Sequence, residues 1–136
     1  MKRFLFAALI ILALAGYTHA DTTIYGGSTS RLSRTILVPT ASDDYPVEYI
    51  AQSSTLDSLK VVCAGGTSAT FTLQQCDNDS TSNCADLTSE LTVTSGTLGT
   101  ATISNSSIGA DKWLKMLVGT VTGVVTDCTY TVRIRP

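Results

Sequence analysis

Histidine is almost absent from this chain. The only one, His19, lies within the first 20 residues, so the rest of the sequence has none. Ser-His-Asp triads, Cys-His pairs and most zinc sites need histidine, which excludes these chemistries from residues 21–136. The chain also lacks a Gly-x-Ser-x-Gly elbow, a Ser-x-x-Lys motif and a glycine-rich phosphate-binding loop. Carboxylates alone can perform acid–base catalysis, but no motif in the sequence indicates such a site. We therefore expect a protein that is not an enzyme and carries no cofactor.

Charged residues are scarce as well, at 15% of the chain. Beyond residue 20, seven basic side chains stand against eleven acidic ones, which gives a net charge of −4. The basic residues are scattered along the sequence and form no stripe of the kind that neutralises phosphates. We therefore expect no nucleic acid partner.

Residues 1–20 have the layout of a secretory signal peptide. Two basic residues precede an uninterrupted apolar run over residues 4–16, and Ala20 supplies a small residue for cleavage. The apolar run is shorter than the roughly 20 residues that a membrane-spanning helix needs. An uncleaved membrane anchor is the alternative. We expect a mature protein that starts at Asp21, is secreted or periplasmic, and has no membrane segment after cleavage.

The 116 residues that remain fit one domain. Residues 21–33 are mostly polar and contain a Gly-Gly pair, which predicts a flexible N-terminal segment. Residues 34–136 predict a single folded domain, because apolar alternation and turn signals continue without a break to the end of the chain.

Apolar and polar residues alternate at a period of two in several short segments, as in half-buried strands. Turn signals separate these segments every eight to twelve residues or so, and no long helical pattern occurs. This indicates an all-β fold, an antiparallel β-sandwich of the jelly-roll or immunoglobulin-like type with seven to eight short strands. The predicted strands cover residues 35–38, 47–51, 59–63, 69–75, 87–94 (where the start is ambiguous with a helical turn), 98–103, 112–118 and 124–135.

The four cysteines predict two disulfides, since an exported protein folds in an oxidising compartment. Three pairings are possible. Cys76 and Cys84 flank a polar loop and would close it. Cys63 and Cys128 each fall on the inward side of a predicted strand, so together they would join two strands in the core. A metal or redox role is the alternative, but no C-x-x-C spacing supports it.

The loop between Cys76 and Cys84 is the first candidate binding site. Asp77, Asn78 and Asp79 bring the hard oxygen ligands that Ca²⁺ takes, which gives a weak calcium possibility at Asp77 and Asp79. The spacing is not that of an EF-hand, because the glycine at position six and the glutamate at position twelve are missing. Asx-rich turns are common without a metal, so a solvated loop is the favoured interpretation.

Trp113, the only tryptophan, is the second candidate. Leu114 and Met116 take the inward positions of their strand, which places Trp113 on the outer surface. An exposed tryptophan can stack on a sugar ring, so a glycan is a candidate partner. The alternative is a structural tryptophan that packs at the end of the sandwich, or in the core if the strand phase differs by one residue.

Three short segments resemble small jelly-roll modules of secreted proteins and phage structural proteins. They are Gly66-Thr67 before the strand at 69–75, Trp113-Leu114-Lys115, and residues 119–123 before the last strand. The resemblance covers just over half of the chain and includes no diagnostic motif. It implies a β-sandwich fold with a structural or binding role, and no site residue transfers with it.

Three functions follow as hypotheses. The first is a secreted, non-enzymatic β-sandwich with a structural or interaction role at the cell surface or in the periplasm, where a surface protein is a candidate partner. The second is a carbohydrate-binding module that uses Trp113. The third is a fibre or pilus-like subunit that self-associates by exchanging the C-terminal strand or the N-terminal segment between copies.

Overall fold

A computed structural model describes residues 29–77 and 79–136. The predicted signal peptide, most of the predicted flexible segment at 21–33 and the candidate ligand Asn78 lie outside the described residues. Within them, the structure contains no helix that is long and apolar enough to cross a membrane.

In the described residues, ten strands form two antiparallel sheets of five strands each. Sheet 1 has the order β1-β10-β3-β7, and β8 pairs with another part of β3. Sheet 2 has the order β2-β9-β4-β5, and β6 pairs with another part of β4. The strands are β1 (Ser30–Leu37), β2 (Asp44–Ile50), β3 (Ser54–Gly65), β4 (Ser68–Cys76), β5 (Ala85–Asp86), β6 (Leu91–Thr94), β7 (Leu98–Thr100), β8 (Ser107–Ile108), β9 (Lys112–Thr122) and β10 (Val125–Arg135).

The strand order is that of a jelly roll. The first four strands alternate between the two sheets, β1 pairs with the last strand, and β2 pairs with the one before it. In an immunoglobulin-like sandwich, strands A and B follow one another within a sheet, so that alternative does not apply. The predicted antiparallel β-sandwich is confirmed, with ten strands rather than seven or eight. The two additional strands, β5 and β8, are two residues long and leave no periodic pattern in the sequence.

The core lies between the sheets and follows the predicted alternation. The long strands β3, β4 and β10 contribute about every second residue to it, and burying a large apolar side chain contributes about 1.5–3 kcal/mol. The largest side chains with less than 2% exposure include Phe71 and Leu73 of β4, Leu114 and Met116 of β9, and Leu59 and Val61 of β3.

The crossing from β3 to β4 depends on two glycines. Gly65 and Gly66 have φ angles of +67° and +60°, a backbone region that side chains with a Cβ rarely adopt. A Cβ on Gly65 would lie 2.8 Å from the carbonyl oxygen of Val124, and one on Gly66 would lie 2.8 Å from the amide nitrogen of Val125. The two glycines therefore let this turn pack against the turn between β9 and β10.

The N-terminal strand begins earlier than the sequence indicates. β1 starts at Ser30, four residues before the expected domain start at 34, and its Leu32 packs against the core. Leu32 is the only apolar residue in the first five positions of β1, which is too little to show a period of two. β1 is an edge strand of sheet 1, whereas the C-terminal strand β10 is central and pairs with both β1 and β3.

Candidate interaction surfaces

Trp113 lies on the outer surface of sheet 2, in the strand phase that the sequence predicts. Leu114 and Met116 of the same strand are buried in the core, and Trp113 is half-buried on the opposite side. It faces Tyr49 of β2 on one side and Cys76 of β4 on the other, because these residues are its partners in the strand register. Residues directly opposite in an antiparallel pair share one face, so the three side chains form a row across the sheet.

Trp113 and Tyr49 form an aromatic pair. Their ring centroids are 5.6 Å apart with an interplanar angle of 53°, an arrangement within the range that aromatic pairs prefer. Tyr49 is 40% exposed, and its hydroxyl donates a hydrogen bond to Asp111 Oδ1 at 2.8 Å. That hydrogen bond, aided by burial, raises the pKa of Tyr49. The pair offers a partly exposed apolar surface with a carboxylate at its edge.

Beside this pair lies the segment between Cys76 and Cys84, here called the disulfide loop, of which residues 77 and 79–83 are described. The sulfur atoms of these two cysteines are 2.04 Å apart, and the bridge is the pairing expected from their positions beside the loop. Asp79 organises the loop by accepting hydrogen bonds from the amides of Thr81 at 3.0 Å and Ser82 at 2.9 Å, and from the Ser82 hydroxyl at 2.6 Å. These bonds, led by the one from the Ser82 hydroxyl, lower the pKa of Asp79 to about 2.

Asp77 ties the disulfide loop to β9. Its Oδ1 lies 2.5 Å from Lys112 Nζ, and its Oδ2 accepts a hydrogen bond of 2.6 Å from Asn83. The Lys112 ammonium and then the Asn83 amide hold the pKa of the Asp77 carboxyl below its usual range. A calcium ion would have to displace this lysine. No group of three or more metal-ligating side chains occurs in the described parts of the chain. The contacts of the Asp77 and Asp79 oxygens are with Lys112 and with residues of the loop.

The rest of the outer surface of sheet 2 carries more acidic than basic groups. Asp86 accepts a hydrogen bond of 2.7 Å from Gln74 of β4, and Glu90 accepts one of 3.3 Å from Thr70. The one cation in the centre, Lys115, is 3.2 Å from Asp44 and is nearly buried. We call this surface, with Asp44, Asp86 and Glu90, the acidic face.

The outer surface of sheet 1 has the opposite charge. Arg31 of β1 stands directly opposite Arg133 of β10, and Lys60 of β3 faces the next outward position, Thr131. Among the described residues, none of these three cations has a carboxylate within ion-pair distance. Like charges directly opposite one another destabilise a strand pair. We call this surface the basic face.

The basic face also contains a depression of about 350 Å³. The three cations line it together with Thr131 and two apolar side chains. Of the apolar pair, Val62 is 38% exposed and Leu98 is 59% exposed. Sequence reasoning missed this surface because its basic residues lie far apart along the chain. Strand parity could have placed each cation outward, but only the order β1-β10-β3 brings them together.

The second disulfide lies on the core side of sheet 1. Cys63 of β3 is directly opposite Cys128 of β10, and their sulfur atoms are 2.10 Å apart. Both residues are buried, as their inward parity predicts. This bridge joins the central strand β10 to its neighbour beneath the basic face.

No known protein family matches this chain, and no curated protein matches it. A chain of infectious bursal disease virus, Gt strain, resembles it with a TM-score of 0.48 and 9% identity, over 79% of this chain and 32% of the viral chain. A chain from Bacillus endospore appendages, described as a novel family of disulfide-linked pili, resembles it with a TM-score of 0.41 and 12% identity, over 85% of this chain and 97% of the other. This chain thus spans about a third of the viral chain's length. The weak resemblance of fold expected from the sequence is present, and it carries no functional argument.

Proposed function

We propose that this protein is an exported, non-catalytic β-sandwich with a structural or interaction role at the cell surface or in the periplasm. The observation that carries the proposal is the basic face. Around one depression it presents two exposed apolar side chains and three cations that have no carboxylate partner in residues 29–77 and 79–136. Opposed arginines repel each other in the isolated molecule, and an acidic partner would relieve that repulsion. The two disulfides support export, because such bridges persist in oxidising compartments.

The test uses cells that produce the full-length chain. We expect the mature protein to start at Asp21 and to be found outside the cytoplasm, bound to the cell surface or in large assemblies. Reversing charge on the basic face with Lys60→Glu and Arg133→Glu should release the folded protein into the free fraction. Val124→Glu, which adds a negative charge at an exposed position of the β9–β10 turn away from the basic face, should leave it bound. If the double variant stays bound to the cell surface as the wild type does, the proposal is contradicted. A hydrolase activity that is abolished by changing one carboxylate would also contradict it.

The Tyr49–Trp113 pair favours a second candidate function, that of a carbohydrate-binding module. Sugar rings stack on aromatic faces, and the Asp111 carboxylate beside Tyr49 can accept a hydrogen bond from a sugar hydroxyl. A glycan array with the wild-type protein, Trp113→Ala and Tyr49→Phe tests this. We expect Trp113→Ala to lose binding and Tyr49→Phe, which keeps its ring, to retain most of it. Binding that is absent from the wild type, or unchanged in Trp113→Ala, would exclude this function.

A further inference from the structure

We propose that the partner of the basic face is the acidic face of a second copy of this chain, so that copies stack front to back. The inference rests on the proposed interaction role and names the partner. The two faces lie on opposite sides of one sandwich, because one is the outer surface of sheet 1 and the other is the outer surface of sheet 2.

The charges of the two faces complement each other. On the basic face, Arg31, Lys60 and Arg133 have no carboxylate partner within the described part of the chain. On the acidic face, Asp86 and Glu90 accept hydrogen bonds from Gln74 and Thr70 but contact no cation there. Each face therefore lacks the ionic partner that the other carries.

The dimensions of the two charge groups also match. β1 and β3 lie on either side of β10, and Arg31 and Lys60 are opposite Arg133 and Thr131. They are therefore two strand spacings across the sheet and two residues along it from each other, or about 12 Å apart. Asp86 and Glu90 flank β4 near residues 74 and 70, which are about 13 Å apart along an extended strand. One copy can therefore place two cations near two carboxylates of the next copy at the same time.

Apolar side chains near the charges add contact area. Val62 and Leu98 are exposed on the basic face. On the acidic face, Pro46 is exposed and stands opposite Lys115, and Leu117 is half-buried and stands opposite Asp44. Burial of these side chains supplies attraction, and the charges fix which face meets which.

Front-to-back contact leaves one free basic face and one free acidic face at the ends of any stack. Heterologous contacts close into a ring only where successive copies are rotated enough, and faces on opposite sides of a sandwich instead add copies along a line. The expected product is therefore an open linear assembly rather than a dimer. This mode of self-association needs no strand exchange, and the central strand β10 stays in its sheet.

Sedimentation velocity of the mature protein, residues 21–136, tests the inference at low salt. The wild type should form oligomers larger than a dimer that grow with concentration and dissociate as salt is raised to about 0.5 M, because salt screens exposed charges. Lys60→Glu with Arg133→Glu should weaken association about tenfold or more, and so should Asp86→Lys with Glu90→Lys, because each places like charges face to face. Val124→Glu, the control, adds a negative charge at the exposed β9–β10 turn and should assemble like the wild type.

Mixing the two double variants gives the decisive readout. Each reversed face of one variant is complementary to a face of the other, so an equimolar mixture should regain assembly that neither variant shows alone. Recovery also proves that both variants are folded, and near-ultraviolet circular dichroism of each one checks this separately.

Several results would overturn the inference. A wild type that is monomeric at every concentration in low salt would do so, as would association that stops at a dimer or survives both double variants. Binding of heparin by a monomeric wild type through Lys60 and Arg133 would show that the partner is an acidic polysaccharide. That result would leave the proposed interaction role standing, whereas unchanged surface retention of the basic-face variant in cells would remove the role itself.

Discussion

The disulfides and the cations have different surroundings in the two sheets of this sandwich. In sheet 1 the disulfide Cys63–Cys128 lies in the core and the outer surface keeps three cations without carboxylate partners in the described chain. In sheet 2 the disulfide lies on the outer side next to Trp113, and the cations Lys112 and Lys115 are bonded to carboxylates. Both cations of sheet 2 therefore have a carboxylate partner, whereas in sheet 1 only Arg34 and Arg135 have one among the described residues.

The two disulfides give the largest expected effect. The chain-entropy estimate is about 4.3 kcal/mol for Cys63–Cys128 and about 2.6 kcal/mol for Cys76–Cys84, because the first bridge closes a longer loop. Paired alanine variants of each bridge should lower the free energy of unfolding in urea in that order, and the core pair should also lose packing. Equal losses from the two variants would show that the core bridge has no advantage over the surface bridge.

The ionisation of Tyr130 in β10 makes the stability of the interior of sheet 1 depend on pH in the alkaline range. Burial raises its pKa to about 12, Arg34 lowers it and Glu48 raises it. An unfolded tyrosine has a pKa near 10, so the stabilising effect of the neutral phenol is complete below pH 10 and is lost as the pH rises toward 12. The wild type should lose up to about 2–3 kcal/mol of unfolding free energy over that range. Tyr130→Phe should lack this component, and identical pH profiles for the two proteins would contradict the assignment.

Trp113 tests the outer surface of sheet 2. Its ring packs between Tyr49 and the Cys76 end of the disulfide loop, so Trp113→Ala should cost about 2 kcal/mol in urea denaturation. Tyr49→Phe keeps the ring contact and removes only the exposed bond to Asp111, so it should unfold at nearly the same urea concentration as the wild type. A loss from Tyr49→Phe as large as that from Trp113→Ala would show that the hydrogen bond, rather than the ring, holds this surface.

The smallest effect concerns the disulfide loop in acid. The pKa of Asp79 is lowered to about 2 in the folded protein, so its contribution is complete above pH 4 and is lost as the pH falls toward 2. Thermal unfolding should show a shallow decline over this range that Asp79→Asn removes. The Tyr130→Phe variant serves as the control, because it should keep the acid decline. If thermal stability falls between pH 4 and pH 2 by the same amount in Asp79→Asn as in the wild type, other carboxylates cause the decline.

Strand parity allowed much of the fold and part of the site to be predicted. Alternation placed Cys63 and Cys128 on inward positions and Trp113 on an outward one, and the structure has them there. Parity works for these residues because each lies in a strand with several apolar residues on one face. Strand parity predicts the extent of β1 less well, because Leu32 and Ile36 are the only apolar residues at its inward positions.

The basic face could not be predicted, because it depends on which strands are neighbours. Arg31, Lys60 and Arg133 come from strands near the start, the middle and the end of the chain, and their charges look scattered in the sequence. The link between Trp113 and the disulfide loop has the same origin, since the register of β4 against β9 sets Cys76 opposite Trp113. Long-range pairing of this kind leaves no local pattern for sequence reasoning to detect.

Zero-length carbodiimide cross-linking between copies tests the central claim most directly. Lys60 and the carboxylates of Asp86 and Glu90 are on opposite outer surfaces of one molecule, so a bond between them can form only between two copies. In an equal mixture of ¹⁴N- and ¹⁵N-labelled mature protein, mass spectrometry should find Lys60 joined to Asp86 or Glu90 in peptides of mixed isotope. If mixed-isotope links involve other lysines and none joins Lys60 to the acidic face, the copies do not stack front to back.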